Sequence, residues 1–381
     1  MAKGVYIGVD GLARKVKKMY IGVDGVARRV KKAYIGVGGV ARPCWTGGEL
    51  TYYGTITPLS SAVYMSAATK NKKYALFGGG QTSSGDAMNT VDAYDKSLVK
   101  TVAPAMESPK YEHSASYTTD YAIFSGGYRG LTHVDAYDSL LSRTTAPKPD
   151  VGRYRLSATH IGGFALVAGG FDVYNKVRAD VDAYDNSLSK TLPTPLNEAR
   201  MYMGATTVGD FALFAGGAMS NSSESVSPRS KTVDVYDKEL AHTTATELST
   251  GIKIYGATSV GKYALFLNNN DTQSSSTLGL YVYEAPSLTH TFIGLYPSFF
   301  TSRKNVAATT VEGFAIFAGG QEGGTYYTDA ICVDENLTVS FTTPLSQGRQ
   351  WLSAESIGNF GLFAGGASPA TVNTVDAYAV I

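Results

Sequence analysis

The chain has 381 residues and a formal net charge of +1, and 44% of its residues are hydrophobic while 17% are charged. The charged fraction is below the usual ~25%, and the high contents of glycine (42) and tyrosine (26) favour a turn-rich all-β protein over helical or disordered classes. The sequence has neither an apolar run of the roughly 20 residues that span a membrane nor the apolar segment of a secretory signal peptide, and its two cysteines cannot form a disulfide framework.

The first 45 residues are basic and repetitive. They carry ten Lys or Arg against two Asp, and residues 6–18 recur as residues 20–32 and, in truncated form, as residues 34–42. Each copy has an Asp-Gly or Gly-Gly pair between two short alternating runs, which is a strong signal for a two-residue hairpin turn. The sequence therefore predicts three tandem β-hairpins in residues 1–45. Because an isolated hairpin is only marginally stable in water, these hairpins need each other, a second copy of the chain or a partner.

Three interpretations of this basic stem, residues 1–45, are open: contact with nucleic acid, docking onto an acidic protein surface, and a solvated structural repeat. The positive charge suits nucleic acid, but the basic residues occupy regular solvent-facing positions and few aromatic residues accompany them. Docking onto a partner protein is favoured, and neither nucleic acid nor membrane insertion is expected. The residues predicted to make the attachment are Arg14, Lys15, Lys17, Arg28, Arg29 and Lys31. A homo-oligomer built through the stem is compatible with the same pattern.

The rest of the chain repeats with a period near 47. A segment reading aromatic-Ala-Leu-Phe-x-Gly-Gly, or a variant of it, begins at Tyr74, Tyr121, Phe164, Phe211, Tyr263, Phe314 and Phe360. Each copy is preceded by a run that contains a pair of small residues, and a Val-Asp-Ala-Tyr-Asp motif or a relative follows it. A fourth short run completes the unit. Four short strands per copy at this spacing are typical of a propeller blade, so seven copies predict an all-β, seven-bladed β-propeller over residues 46–381.

The last copy ends immediately after its third predicted strand. Residues 49–57 precede the first copy and resemble the fourth-strand runs of the other copies. An unclosed ring exposes an open strand edge. We therefore expect residues 49–57 to pair with residues 349–381 and to close the ring.

An apolar strand that ends in Gly-Gly and is followed by a tyrosine-bearing strand resembles the kelch repeat, and the resemblance covers the whole predicted ring. The chain departs from the kelch pattern in two respects: the fifth copy has Leu267-Asn268 in place of the glycine pair, and the Trp that kelch repeats carry after the Tyr is missing. Basic hairpin repeats ahead of a kelch-like ring resemble tail-associated proteins of bacteriophages and prophages. This resemblance implies a virion protein that is made in the host cytoplasm and released by lysis.

Successive antiparallel strands place their connections alternately on the two faces of a propeller. The turns after the first and third strands are short and similar in every copy. The loops after the second strand are unequal, for example residues 128–133, 171–180, 218–232 and 367–374. A uniform face and a diversified face are what a binding scaffold presents. The alternative, that loop lengths drift wherever nothing constrains them, is open.

Basic residues recur at the start of five of the seven copies, with aromatic residues next to most of them, on the same face as the unequal loops; Ala62 and Ile252 stand in the other two copies. Those predicted to bind a ligand at the mouth of the central channel are Lys110, Arg153, Arg200, Arg303, Arg349, Tyr64, Tyr111, Tyr154, Tyr202 and Trp351. Arg offers planar bidentate donors to an anionic group, and aromatic faces stack on sugar rings. For the basic residues as a set, the favoured alternative is that they brace blades by pairing with carboxylates such as Asp92, Asp135 or Asp182.

The sequence has no Gly-x-Ser-x-Gly, His-Glu-x-x-His, P-loop or calcium-loop pattern, and its five histidines fall at non-equivalent positions. We therefore predict no catalytic residue, metal site or cofactor. The Asp residues that recur in nearly every copy are assigned to turns and strands, because an active site is normally built once. Two alternatives stay open: an enzyme that grips a sugar acid through Arg153, Arg200, Arg303 and Arg349, and an intracellular scaffold of the kind that many kelch proteins form.

The function expected from the sequence is a non-enzymatic component of a phage or phage-like tail, located in the virion. Its propeller is expected to bind a glycan or protein on the host cell surface. Its stem is expected to attach it to other tail or virion proteins.

Overall fold

A computed structural model of the chain describes residues 49–129, 131–220, 228–268, 279–295 and 303–380 in full, together with the backbone of six strands in the first 46 residues. Every regular element in this described part is a β-strand, so no helix there is long and apolar enough to cross a membrane. The chain divides into two compact units, one of residues 1–51 with 380–381 and one of residues 52–379.

The stem contains the three tandem hairpins that its repeat predicts. Their strands are β1 (Tyr6–Val9), β2 (Leu12–Lys15), β3 (Tyr20–Val23), β4 (Val26–Arg29), β5 (Lys32–Val37) and β6 (Val40–Thr46). β1 pairs with β2, β3 with β4, and β5 with β6, all antiparallel. Each hairpin therefore corresponds to one copy of the 14-residue repeat.

All the remaining strands belong to the ring or to its loops. The strand that precedes the first copy is β7 (Leu50–Ile56). The strands of the first three copies are β8 (Ala67–Lys70), β9 (Tyr74–Gly78), β10 (Val91–Asp95), β11 (Lys100–Ala103), β12 (Ser114–Tyr117), β13 (Ala122–Ser125), β14 (Val134–Tyr137), β15 (Arg143–Thr145), β16 (Arg153–Tyr154), β17 (Ser157–Ile161), β18 (Phe164–Ala168), β19 (Phe171–Asp172), β20 (Val181–Tyr184) and β21 (Lys190–Thr191). The strands of the last four copies are β22 (Gly204–Val208), β23 (Phe211–Ala215), β24 (Val233–Asp237), β25 (His242–Thr244), β26 (Ala257–Val260), β27 (Tyr263–Asn268), β28 (Gly279–Glu284), β29 (Thr289–Gly294), β30 (Ala307–Val311), β31 (Phe314–Ala318), β32 (Gln321–Glu322), β33 (Thr325–Tyr326), β34 (Ala330–Asp334), β35 (Val339–Thr342), β36 (Ser353–Ile357), β37 (Phe360–Ala364), β38 (Ala367–Ser368), β39 (Ala370–Thr371) and β40 (Val375–Val380).

The seven copies fold into seven four-stranded antiparallel blades, which confirms the predicted seven-bladed propeller. Blades 1 and 2 contain β8–β11 and β12–β15, blade 3 contains β17, β18, β20 and β21, and blades 4 and 5 contain β22–β25 and β26–β29. Blade 6 contains β30, β31, β34 and β35, and blade 7 contains β36, β37, β40 and β7. The first strands of adjacent blades contact one another around a full circle, from blade 1 to blade 7 and back to blade 1.

The chain closes its ring by joining its two ends in one blade. β7 lies next to β40 in blade 7 and supplies the fourth strand that the last copy lacks. The hydroxyl of Tyr52 donates a hydrogen bond of 2.6 Å to Asp376 across this pairing. The predicted closure is therefore confirmed.

The burial of each strand follows from its distance to the axis of the ring. Neighbouring blades cover the second and third strands on both faces, so these strands are almost continuously apolar; Ala75, Leu76 and Phe77 of β9 are at most 2% exposed. First strands combine alanines with hydroxyl residues because seven of them converge on the central channel. Fourth strands border solvent, and β7 alternates between half-buried and exposed positions along its whole length.

The glycine pair after the second strand joins one blade to the next. In blade 3, Gly169 and Gly170 have φ angles of +65° and +100°, and the N–H of Gly170 donates to the carbonyl of Arg200, 2.8 Å away, at the start of blade 4. A Cβ added to Gly169 lies 2.3 Å from that oxygen, so glycine is required. The carbonyls that accept this bond around the ring belong to Val63, Lys110, Arg153, Arg200, Ile252 and Arg349.

The Val-Asp-Ala-Tyr-Asp motif also has a structural role in each blade. In blade 4 the hydroxyl of Tyr236 donates to the carbonyl of Thr194 in the connection from blade 3, at 2.7 Å. Oδ1 of Asp237 accepts the N–H groups of Glu239 and Ala241 at 3.0 and 2.8 Å and so fixes the turn to the fourth strand. These bonds agree with the assignment of the recurring Asp residues to turns and strands.

Candidate functional site

The recurring basic residues at the start of the blades are buried, and their side chains pair with carboxylates. Lys110, Arg153, Arg200, Arg303 and Arg349 are at most 2% exposed. Four of them contact the first Asp of the motif in their own blade, in the pairs Lys110–Asp135, Arg153–Asp182, Arg200–Asp234 and Arg349–Asp376. A cationic group that is withdrawn from water and paired with a carboxylate does not offer its donors to a ligand. The burial and pairing of these five residues are what the bracing alternative predicts, and their ligand-binding role stays a prediction.

Arg200 shows how such a residue works. Its Nη1 donates to the carbonyls of Gly216 and Thr232 at 2.8 and 2.7 Å, and its Nη2 contacts Asp234. Its own carbonyl accepts the N–H of Gly170 in the preceding blade. One residue therefore ties the second and third strands of blade 4 to each other and to blade 3.

Lys110, the one lysine among these five residues, pairs with its carboxylate in the same way. Nζ of Lys110 lies 2.8 Å from Asp135, and both side chains are fully buried. Burial opposes the ionisation of Asp135, but the attraction of Lys110 and the hydrogen bonds that the carboxylate accepts outweigh it and hold the pKa of Asp135 below its ordinary value. Burial lowers the pKa of Lys110, and the attraction of Asp135 opposes this shift.

Blades 5 and 6 lack members of the pair, whereas blade 1 keeps the buried Asp92 without a basic residue at the start of the blade. In blade 5, Ile252 and Tyr281 occupy the two positions, and both pack in the apolar core. In blade 6, Ile331 stands at the acidic position and is buried. Arg303 contacts Asp329 at 2.9 Å instead and lies over the ring of Tyr327, 3.8 Å from its centroid. Arg303 therefore pairs with a carboxylate at another position of blade 6.

A ring of seven residues, one from each blade, surrounds one end of the central channel. This axial ring consists of Met65, Glu112, Arg155, Tyr202, Ile254, Asn305 and Trp351. Its backbone bonds run from blade to blade; the N–H of Met65 donates to the carbonyl of Trp351 at 3.1 Å, and the N–H of Arg155 donates to that of Glu112 at 2.9 Å. Six of the seven residues, all except Ile254, have φ between +51° and +60°, a region that large side chains rarely adopt. The ring presents seven different side chains on a nearly uniform backbone.

Three side chains of the axial ring meet over the channel. Nε of Arg155 lies 3.2 Å from both carboxylate oxygens of Glu112, and the hydroxyl of Tyr202 donates to the same carboxylate at 3.3 Å. The guanidinium of Arg155 also lies 5.2 Å from the ring centroids of Tyr154 and Tyr202, within cation–π distance. Burial raises the pKa of Tyr202, so its hydroxyl stays a donor. The opposite charges of Glu112 and Arg155 offset each other, and Nζ of the buried Lys253 lies 5.5 Å from the ring centroid of Tyr202.

The structure separates the predicted aromatic residues into two groups. Tyr202 and Trp351 belong to the axial ring. Tyr64, Tyr111 and Tyr154 lie one residue before the ring positions of their blades, where they are half-buried and pair with the residue that follows the glycine pair. Trp351 and Tyr64 are in contact, with ring centroids 5.4 Å apart. The ring centroids of Tyr111 and Tyr154 lie 5.2 and 5.4 Å from that of Tyr128. The ligand-binding role of the five aromatic residues stays a prediction.

Glu112, Arg155 and Asn305 were not among the predicted site residues. Each stands two residues after a position that is basic in five of the seven copies and two before a small residue. A position that varies from copy to copy between two recurring positions is the sequence signal that identifies the axial ring.

Below the axial ring, the first strands line the channel. Their seven equivalent alanines and the residues that follow enclose a cavity of about 410 Å³. At its far end, Nε2 of His160 lies 2.6 Å from the hydroxyl of Tyr117, and Lys70 pairs with Glu355 at 3.1 Å. Burial, and to a smaller extent the charge of Lys70, lower the pKa of His160 to about 4, so this histidine is neutral at pH 7.

Some predicted features lie outside the described residues. The side chains of Arg14, Lys15, Arg28 and Arg29 are not described, although their backbones lie in β2 and β4, and Lys17 and Lys31 are outside altogether. The same holds for residues 221–227 of the longest loop. Within the part of the chain that is described, no three His, Cys, Asp or Glu side chains lie close enough to hold a metal ion.

Comparison with known proteins supports the fold. A solved structure titled "Structure of YjhT" is similar over 86% of this chain and 99% of its own, with a TM-score of 0.53 and 13% sequence identity. At this identity the similarity shows the β-propeller fold alone. No protein-family model matches the chain, and no curated protein matches it.

Proposed function

We propose that the protein is a non-enzymatic adhesion component of a phage or phage-like tail, whose axial ring binds a glycan on the surface of the host cell. The observation that carries this proposal is the axial ring itself. Aromatic, amide and mutually paired charged side chains converge there on a backbone that repeats from blade to blade. The side chain differs from blade to blade at these seven positions, whereas the nearby glycine pair recurs in six of the seven blades.

The chemistry of the axial ring suits a sugar. A pyranose ring has an apolar C–H face and a rim of hydroxyl groups. Trp351 and Tyr64 offer aromatic faces to the apolar face of the sugar. The amides of Asn305 and Gln350, which are joined by a hydrogen bond of 2.8 Å, offer donors and acceptors to its hydroxyl groups. A small number of placed polar groups among apolar ones is typical of small-molecule sites. The pairing of Arg155 with Glu112 favours a neutral polyhydroxyl ligand over a strongly charged one.

The alternative of a sugar-acid enzyme depends on free arginines at the channel mouth. Arg153, Arg200 and Arg349 are fully buried against Asp182, Asp234 and Asp376. Nη1 and Nη2 of Arg153 and Arg200, and all three guanidinium nitrogens of Arg349, bond within their own blades. This arrangement supports ligand binding by the axial ring rather than binding of a substrate carboxylate by the arginines.

The stem supplies the second half of the proposal. Its basic hairpins, through Arg14, Lys15, Lys17, Arg28, Arg29 and Lys31, attach the propeller to other tail or virion proteins. Several propellers on one particle multiply individually weak sugar contacts by raising the effective concentration of the second and later sites.

Binding of the labelled full-length protein to whole bacterial cells and to a glycan array tests this proposal. We expect saturable binding, and Trp351→Ala is expected to weaken it at least about tenfold, because it removes an aromatic anchor at the mouth. Phe341→Ala is the matched control: it removes an aromatic side chain that is 50% exposed on the fourth strand of blade 6. Removal of residues 1–45 is expected to spare glycan binding and to abolish incorporation into particles. Absence of saturable binding, or full binding by Trp351→Ala, would contradict the proposal.

A further inference from the structure

Three exposed large apolar side chains lie on the loops that follow the second strands of blades 2 and 3. They are Tyr128, Val173 and Tyr174, which are 43%, 56% and 74% exposed. Tyr128 follows the glycine pair of blade 2, and Val173 and Tyr174 form the tip of the corresponding loop in blade 3. Single apolar residues on a surface are ordinary, but a cluster of them on a diversified face marks an interaction site.

The cluster borders a groove between blades 2 and 3. The groove has a volume of about 480 Å³, and its wall includes the apolar side chains Tyr128, Leu131, Tyr154 and Val173 with the polar side chains Arg129 and Asp172. This volume lies within the ~300–1,000 Å³ that small-molecule sites occupy. The aromatic and aliphatic walls suit the apolar face of a sugar. The guanidinium at the exposed rim suits its hydroxyl groups.

The groove is rigid on its blade 3 side. Oδ1 of Asp172 accepts the N–H groups of Tyr174 and Lys176 at 2.8 and 3.0 Å, and the N–H of Asp172 donates to the carbonyl of Lys176 at 3.0 Å. Asp172 is held in turn by Arg178 at 3.5 Å. The exposed side chains at the loop tip are therefore presented by a preformed turn, which lowers the entropy that a ligand must remove on binding.

Tyr154 connects the groove to the axial ring. Its ring centroid lies 5.4 Å from that of Tyr128 in the groove, and the guanidinium of Arg155 in the axial ring lies 5.2 Å from its centroid. Tyr111 extends the same aromatic surface, with its centroid 5.2 Å from that of Tyr128. An unbroken path of aromatic side chains therefore leads from the channel mouth to the groove.

We infer that the groove between blades 2 and 3 is a second sugar subsite, so that the protein recognises an extended oligosaccharide chain rather than a single terminal sugar. This inference rests on the proposed function and names its substrate class more narrowly. One sugar lies over the axial ring, the chain passes Tyr154, and a later sugar stacks on Tyr128 while Arg129 donates hydrogen bonds to its hydroxyl groups. The subsite adds affinity only for chains long enough to reach it.

Titration of the full-length protein with chito-oligosaccharides and O-polysaccharide fragments of one to six sugars tests the inference. We expect affinity to rise with chain length. Tyr128→Ala is expected to abolish this rise and to weaken binding of the longest fragments at least about tenfold, while leaving the affinity for single sugars unchanged. Trp351→Ala is expected to weaken binding at every length. Leu140→Ala is the control, because it removes an exposed apolar side chain, 75% exposed, from the turn after a third strand.

Val173→Ser is a second variant at the exposed loop tip and carries the test if Tyr128→Ala does not fold. Affinity that is independent of length would overturn the subsite and leave the proposed function intact. Equal losses for short and long fragments in both groove variants would have the same meaning. Failure of the unchanged protein to bind any fragment would overturn the proposed function, and the subsite with it.

Discussion

Each basic residue at the start of a blade is buried, so its charge is tolerated only because a carboxylate pairs with it. Arg200 and Asp234 are both fully buried, and the carboxylate also accepts a hydrogen bond of 2.9 Å from the N–H of Asn197. Removing one member of a buried pair leaves an uncompensated charge, whereas removing both does not. Blade 5 shows the second solution, because Ile252 and Tyr281 stand where the pair would be.

Replacement of Arg200 by Ile is expected to lower the free energy of unfolding by about 3–5 kcal/mol, because Asp234 is left buried without its main partner. The double variant Arg200→Ile/Asp234→Tyr, which copies blade 5, is expected to recover part of this loss. Lys72→Ala, at the exposed pair with Asp120, is the control and is expected to change stability by no more than about 1 kcal/mol. Urea unfolding measures all three. A double variant less stable than the Arg200→Ile single variant would contradict this account.

The repeating element of the fold is a four-stranded blade whose second strand ends in two glycines. The positive φ angles of the pair turn the chain away from the sheet and aim one N–H at the next blade. In blade 6, Gly320 has φ of +101°, and its N–H donates to the carbonyl of Arg349 at 2.8 Å. The pair is therefore a joint between blades rather than a loose turn, and the regular spacing of the blades depends on it.

Gly320→Ala is expected to lower the free energy of unfolding by roughly 1–3 kcal/mol, the usual range for strained backbone at a residue that has a Cβ. The added Cβ lies 2.9 Å from the carbonyl oxygen of Lys304 and 2.8 Å from Cγ2 of Val306. Gly294→Ala in β29 is the matched control, because a Cβ there meets no atom within 4 Å. Thermal unfolding compares the two variants. Equal melting temperatures would show that the joint tolerates a side chain.

The whole ring depends on one long-range pairing, in which the strand before the first blade completes the last one. Besides the bond between Tyr52 and Asp376, the ring of Tyr53 lies 5.2 Å from that of Phe360, and Ile56 packs against the core shared by blades 7 and 1. Joining the two ends in one blade leaves neither end of the ring with an open edge.

A chain that begins at residue 57 is expected to expose the edge of β40 and to associate through it. We expect a melting temperature several degrees below that of a chain beginning at residue 49, and a larger mass by light scattering, because apolar side chains of β7 no longer cover blade 7. The chain that begins at residue 49 is the control, since it lacks the stem but keeps β7. Two monomers of equal stability would mean that β7 is dispensable for closure.

Most of the fold could be predicted from the sequence because its determinants are local and repeated seven times. The apolar second strand, the glycine pair and the turn-forming Asp recur at fixed offsets, so one misread copy does not change the number of blades. The Asp-Gly turns of the stem act over four residues and identify its hairpins equally well. Closure by β7 could be predicted by counting strands, because the last copy lacks its fourth strand and one additional strand precedes the first copy.

The pairing of the recurring basic and acidic residues was decided only by tertiary structure. Lys110 and Asp135 are 25 residues apart and Arg200 and Asp234 are 34 apart, so the sequence shows both charges without showing that they meet in the core. The axial ring and the groove between blades 2 and 3 are likewise assembled from different blades. A blade's own fold depends on contacts within about 50 residues, which a repeat reveals, whereas a site on a propeller depends on which side chains the closed ring brings together around one axis.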